Sequence, residues 1–144
     1  MKKSILCLFV VTSTLFSCTK KAEIDPREQY LGTYPVTAIS ILKNLNTGQT
    51  SNGTSNYSVQ VNKGSAADEL TFDDGDRFTV KLSGSSFTIV QYNTAVPIGG
   101  TNYSFTVNGS GSFNSKNLSY IETQKTSIQG VSLQITNSIS GNKP

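Results

Sequence analysis

Tyr57-Ser58-Val59-Gln60-Val61-Asn62 and Phe78-Thr79-Val80-Lys81-Leu82 carry an apolar side chain at every second position and a polar one between. Successive side chains of an extended chain point to opposite faces, so this alternation marks a strand with one face buried and one in water. It recurs in Leu70-Phe72, Phe87-Ile89, Tyr103-Phe105-Val107, Leu118-Tyr120 and Val131-Leu133-Ile135, and a first strand runs from Gly32 to about Leu42. No apolar stripe with the helical period of about 3.6 residues interrupts them. Eight strands are expected. Between them stand Asp73-Asp74-Gly75-Asp76, Ser83-Gly84-Ser85, Pro97-Ile98-Gly99-Gly100, Asn114-Ser115-Lys116-Asn117 and Ile128-Gln129-Gly130, the residue types that short hairpin connections need. The reading is an all-β, antiparallel up-and-down meander. Because an open sheet leaves two bare edges, it is expected to close as an eight-stranded barrel or to fold over as a strongly coiled sandwich.

Two stretches depart from the regular pattern. Residues 44–55 hold almost no apolar side chain and read as a long solvated loop between the first two strands, either a cover for a barrel mouth or a tolerated insertion. Gly109-Ser110-Gly111 lies within a strand running from Tyr103 to Phe113, where missing side chains permit the bulge or bend that coils a sheet.

Composition removes whole classes of chemistry. The chain has 144 residues, no His, no Trp, two Cys and a formal net charge of +3. Without imidazole there is no Ser-His-Asp or Cys-His nucleophile system, no His-ligated zinc and no His general base. One small domain is the ceiling, and the protein is expected not to be an enzyme.

Met1-Lys2-Lys3, an apolar stretch from Ile5 to Phe16 and Ser17-Cys18 form the three parts of a secretory signal. The apolar part is too short to span a bilayer, which takes roughly 20 residues of helix. Leu15-Phe16-Ser17-Cys18 resembles the lipobox of bacterial lipoproteins, which implies cleavage before Cys18 and acylation of both its sulfur and its new amino group. Loss of Lys2 and Lys3 leaves ten basic residues against nine acidic ones. Lys43, Lys63, Arg77, Lys81, Lys116 and Lys125 are scattered singly, so no basic face for nucleic acid forms. Three acyl chains exceed what stable anchoring to a membrane requires. The organisation expected is a signal over residues 1–17, a lipidated tether over 18–29 and a barrel over 30–140. Lys20 and Lys21 read as solvated linker, and the absence of an acidic run after Cys18 favours the periplasmic face of an outer membrane. A monomer is expected.

Gly32-Thr33-Tyr34-Pro35-Val36, Tyr57-Ser58-Val59-Gln60-Val61, Phe78-Thr79-Val80-Lys81-Leu82, Ser86-Phe87-Thr88-Ile89 and Asn108-Gly109-Ser110-Gly111-Ser112-Phe113 together resemble the small calycin-like, lipocalin-like bacterial lipoproteins. The resemblance spans about Tyr30 to Ile135. It implies an eight-stranded barrel, whose interior is either filled or roomy enough for one small apolar or amphipathic molecule. Tyr34, Val59, Val80, Ile89, Tyr103 and Phe105 are then the expected ligand-lining residues. Tyr34 stands where typical lipocalins have Trp, and the late-strand Arg that packs on that Trp has no counterpart here.

Other candidates yield to plainer readings. Asp68, Glu69, Asp73, Asp74 and Asp76 are the sole acidic cluster, but their spacing is not that of a calcium-binding helix-loop-helix, and a hairpin tip facing solvent suits neither Ca²⁺ nor a glycosidase pair. They read as turn residues, and Glu122 reads as an outward, solvated strand residue. No metal site or cofactor is expected. Asn108-Gly109-Ser110-Gly111 lacks the third glycine and the following helix of a dinucleotide site. Tyr30, Tyr34, Tyr57, Tyr92, Tyr103 and Tyr120 suit sugar stacking or a barrel mouth if exposed, and cross-strand core packing if buried. Exposed tyrosines with the 44–55 segment would make a glycan- or protein-binding module of the envelope, the alternative to a ligand-holding barrel.

Overall fold

A computed structural model describes residues 24–128 and 130–144. The signal, Cys18, Lys20 and Lys21 lie outside the described residues. A single 3-10 turn, η1 (Glu28–Tyr30), precedes eight strands: β1 (Gly32–Asn44), β2 (Thr50–Lys63), β3 (Glu69–Asp73), β4 (Arg77–Ser83), β5 (Ser86–Ile98), β6 (Thr101–Asn114), β7 (Asn117–Ile128) and β8 (Val131–Asn142). Each strand pairs antiparallel with the next, and β1 pairs with β8, so the meander closes as a barrel rather than a sandwich. Period-two alternation sends Tyr34, Val36 and Ala38 of β1 inward while Thr33, Pro35 and Thr37 face out. Outward positions are mostly Thr, Ser, Asn, Gln and Lys, with Ile39, Ile41, Val90 and Ile121 as large apolar exceptions. That is the reverse of a membrane-spanning barrel, whose outer band is apolar.

The segment expected as a loop over residues 44–55 is mostly strand. Thr50 to Ser55 continue β2, paired with Lys43 back to Ala38, and the connection shrinks to residues 45–49. Backbone hydrogen bonding to β1 needs no apolar side chains, which is why polarity alone misleads there. Asn46 ties this hairpin tip to the next one: its side chain donates to Gly130 O and accepts from Ser132 N.

The barrel has a filled lower end. Phe72 sits at its centre, its ring 5.2 Å from Phe87, 5.5 Å from Phe78, 5.8 Å from Tyr120 and 6.1 Å from Phe113. Full burial of one such side chain contributes roughly 1.5–3 kcal/mol. The floor is closed from outside by η1. Tyr30 stacks on Phe113 at 4.4 Å and accepts at its carbonyl the Tyr34 hydroxyl at 2.9 Å. Lys143, just past β8, donates to Gln29 O and Leu31 O, with its ammonium 5.9 Å from the centre of the Tyr34 ring. Lys143 thus sets a cation over the Tyr34 ring from the segment after the last strand.

Residues 25–29, expected as tether, belong to the folded body. Arg27 pairs with Asp25 and donates to the carbonyls of Gly64, Ala66 and Glu69, while Lys63 pairs with Asp25 and Glu28. The body also runs past residue 140, to the end of β8 at Asn142.

Gly109 and Gly111 lie on the inner face of β6, opposite Ile89 and Phe87 of β5 and Glu122 and Tyr120 of β7. A Cβ on Gly111 would stand 2.4 Å from Ser119 O and 2.6 Å from the Phe87 ring, and one on Gly109 would stand 2.2 Å from Ile121 O. Their missing side chains let β7 cross closely and leave room for Phe87 and Tyr120. The bulge itself lies on β5, where one extra residue is accommodated between Ile89 and Tyr92. Gly111→Ala should lower the unfolding free energy by about 1–3 kcal/mol through overpacking. Gly53→Ala, whose Cβ meets nothing within 4 Å, should stay within about 0.5 kcal/mol of the parent in the same urea titration.

Candidate functional site

Strand length creates the site. β2 pairs with β3 only over residues 60–63, and β4 with β5 only over residues 80–83 and 86–89. Above that level the upper parts of β2 and β5 have no neighbour on the β3–β4 side, so the wall is notched. β1, β2, β5, β6, β7 and β8 continue upward, and their inner faces become polar: Ser40 on β1, Ser51 and Gly53 on β2, Gln124 on β7 and Asn137 on β8. Together with Leu42, Val96, Ile98 and Ile135 these line an open pocket of about 420 Å³. That is within the range of small-molecule sites, roughly 300–1,000 Å³.

Gln124 and Asn137 line the base of the pocket, and Glu122, the cross-strand partner of Asn137 and two residues before Gln124 on the same face of β7, is buried beside them. Glu122 and Gln124 are 6% and 8% exposed. Glu122 Oε1 accepts from Gln124 Nε2 at 2.8 Å and from Asn137 Nδ2 at 2.7 Å. A carboxylate accepts and does not donate, so both amides must turn their nitrogens to it. Gln124 Oε1 and Asn137 Oδ1 are consequently buried with no donor. Unmatched buried acceptors are rare, and each costs roughly 1–3 kcal/mol.

Between this base and the aromatic core lies a tier of tyrosines with a second acid. The short β3–β4 turn ends at mid-height and tucks Asp74 against the barrel, where it accepts from Tyr120 Oη at 3.4 Å and from Asp76 N at 3.3 Å. Asp76 Oδ2 accepts from Thr94 Oγ1 at 2.5 Å and pins the turn to β5. Burial, reinforced by the charges of Glu122 and Asp76, pushes the Asp74 carboxyl up to about 6. Burial, then the charges of Asp74 and Glu122, pushes the Tyr57 hydroxyl up to about 12. Tyr92 and Tyr120 are raised by burial and by the same two acids. All three hydroxyls therefore remain protonated donors at neutral pH. The Tyr92 ring stacks on Phe78 at 5.1 Å, which fixes its height in the barrel.

The expected ligand-lining residues fall elsewhere. Tyr34, Val59, Val80 and Ile89 are packed into the core, and Phe105 is fully buried on the inner face of the upper half. Tyr103 is half-buried, paired across the strands with Val96 of the pocket wall. Glu122 is not outward and solvated, because Leu118, Tyr120, Glu122 and Gln124 share one strand face and the first two are core. That alternation was the available signal. Asp74, expected as a solvent-facing turn residue, is half-buried against Tyr120. Nothing in the sequence signals its burial, which follows from the shortness of β3 and β4. Among the described residues no cluster of acids, Cys or His is suited to a metal ion. No protein-family model matches the chain, and no curated protein matches it in sequence.

Asp74 gives the fold a measurable pH dependence. Its folded pKa lies above the unfolded value, so its contribution is full below about pH 4 and is lost as pH rises through about 6. Asp74→Asn, which mimics the protonated acid, should be about 1–2 kcal/mol more stable than the parent at pH 8 and nearly equal to it at pH 4. The full two-unit shift is discounted there because the side chain is only half-buried. Urea midpoints at the two pH values check this.

Proposed function

We propose that this is a non-enzymatic, lipid-anchored cell-envelope protein that holds a small amphipathic molecule in the open upper half of its barrel. The observation that carries the reading is the division of the barrel interior. One half is filled by aromatic side chains, while the other keeps a pocket with apolar walls and a hydrogen-bonding base. A barrel serving as a scaffold alone has no use for a buried Glu122 and two amide oxygens without donors. The calycin-like resemblance is supported by the closed eight-stranded barrel and by Lys143 over Tyr34, an arrangement like the late cation on the opening-strand aromatic of lipocalins. Lipid anchoring through Cys18 rests on the lipobox-like sequence, and the periplasmic face of an outer membrane is the placement that goes with it.

Catalysis is a poorer fit. The chain has no His, Glu122 is engaged by two amides, and Asp74 is held by Tyr120 and the Asp76 amide. A glycan- or protein-binding face has less support than the pocket: Tyr30, Tyr34 and Tyr120 are buried, Tyr57, Tyr92 and Tyr103 are half-buried, and residues 50–55 form a strand rather than a binding loop.

Two experiments test the two parts. Native mass spectrometry of a soluble Cys18→Ser variant purified from its host envelope should show a small molecule retained by the chain, and bare polypeptide throughout would count against the ligand. Labelled palmitate should enter the parent protein and not Cys18→Ser. Equal labelling of both would remove Cys18 as the anchor.

A further inference from the structure

Resting on the reading of the upper half as a ligand pocket, we infer that its ligand is an organic cation whose ammonium group sits on Glu122, Gln124 and Asn137 with its apolar body along the walls above. Ser40, Ser51 and Asn52 on the walls can donate, but the free atoms of Gln124 and Asn137 at the base are acceptors. The Gln124 and Asn137 nitrogens are committed to Glu122 Oε1, so what these side chains have left to give is two buried amide oxygens without donors, beside the Glu122 carboxylate. An alkylammonium carries three N–H donors and no acceptor, which matches that set in kind. A neutral alcohol brings one donor together with lone pairs that find no donor on these three side chains, and a carboxylate brings only more acceptors.

Charge points the same way. Among the described residues no Lys or Arg lines the pocket, and Glu122 has no basic partner. A carboxylate held out of water without a counter-charge is costly, and a cation seated beside it offsets that cost. Asp74, in the tier just below, adds to the same negative field. Gln124 supplies an observation independent of acid clustering, because it lines the pocket, is 92% buried (8% exposed) and keeps a buried oxygen with no donor. An inorganic divalent ion is disfavoured by the lack of a second acidic ligand at the base and by the apolar side chains of Leu42, Val96 and Ile135 above it. Those walls suit an alkyl or aryl body.

The test is calorimetric titration of the full chain carrying Cys18→Ser with n-octylammonium, 1-octanol and octanoate, three probes of similar length that differ in charge. Octylammonium should bind at least tenfold more tightly than either of the others, with shifts in the Gln124 and Asn137 side-chain amide signals by NMR. Glu122→Gln should reduce the preference for the ammonium over the alcohol to within about twofold. Equal binding of alcohol and ammonium by the parent would overturn the cation assignment and leave the ligand-holding barrel standing. Failure of all three probes to bind would overturn both.

Discussion

β3 and β4 are five and seven residues long while every other strand of the barrel has twelve to fourteen. Hydrogen bonding can therefore run all the way round only at the lower level, where β2 meets β3 and β4 meets β5. Below that level the interior is enclosed on every side and is filled by Phe72, Phe78, Phe87, Phe113 and their neighbours. Above it the wall is notched, and inward side chains such as Ser40, Ser51 and Tyr103 are partly or fully exposed while Phe105, Leu133 and Gln124 stay buried. The change from aromatic to polar inner faces along β1, β2, β7 and β8 follows that change in enclosure. The β5 edge bordering the notch carries both a bulge and Pro97, two features that make an exposed edge a poor template for pairing with another chain.

The polar tier sits where the two regimes meet. Tyr57, Tyr92 and Tyr120 pack their rings against the core, and the Tyr120 hydroxyl donates to Asp74, so one residue type serves both the apolar layer below and the polar groups above it. Raised hydroxyl pKa values keep these groups as donors beside two acids. The glycines of β6 make the arrangement possible, since a side chain at Gly111 would occupy the space that Tyr120 and Phe87 use. Closure at the bottom, by Tyr30, Tyr34 and Lys143, is mechanically separate from the pocket and leaves the upper half free to vary.

The strand count and the antiparallel order were legible because they depend on period-two patterning and turn chemistry, both local properties, whereas the bulge expected at Gly109-Ser110-Gly111 lies on the facing strand β5. The upper part of β2 was not legible, because Thr50 to Ser55 lack apolar side chains and are strand only through backbone pairing with β1. Glu122 was legible in principle, being in phase with Leu118 and Tyr120, but a charged residue is ordinarily solvated and the enclosure that overrides this is a tertiary property. Asp74 and Lys143 were beyond reach. The first is buried because a hairpin ends at mid-height, the second reaches Tyr34 because the register of β8 against β1 delivers the chain end to the barrel floor. Which apolar residues line open space and which fill the core likewise depends on the stagger of strands around the barrel, which alternation along one strand does not encode.

Amide hydrogen exchange along β2, followed by NMR, tests the half-closed barrel most directly. Between Thr50 and Ser58 the amides that bond to β1 should be protected, and the alternate amides facing the notch should exchange near the rate of free peptide, whereas from Gln60 to Lys63 amides facing both neighbours should be protected. Uniform protection along the whole of β2 would mean that the wall is continuous, and would contradict the open upper half on which the pocket depends.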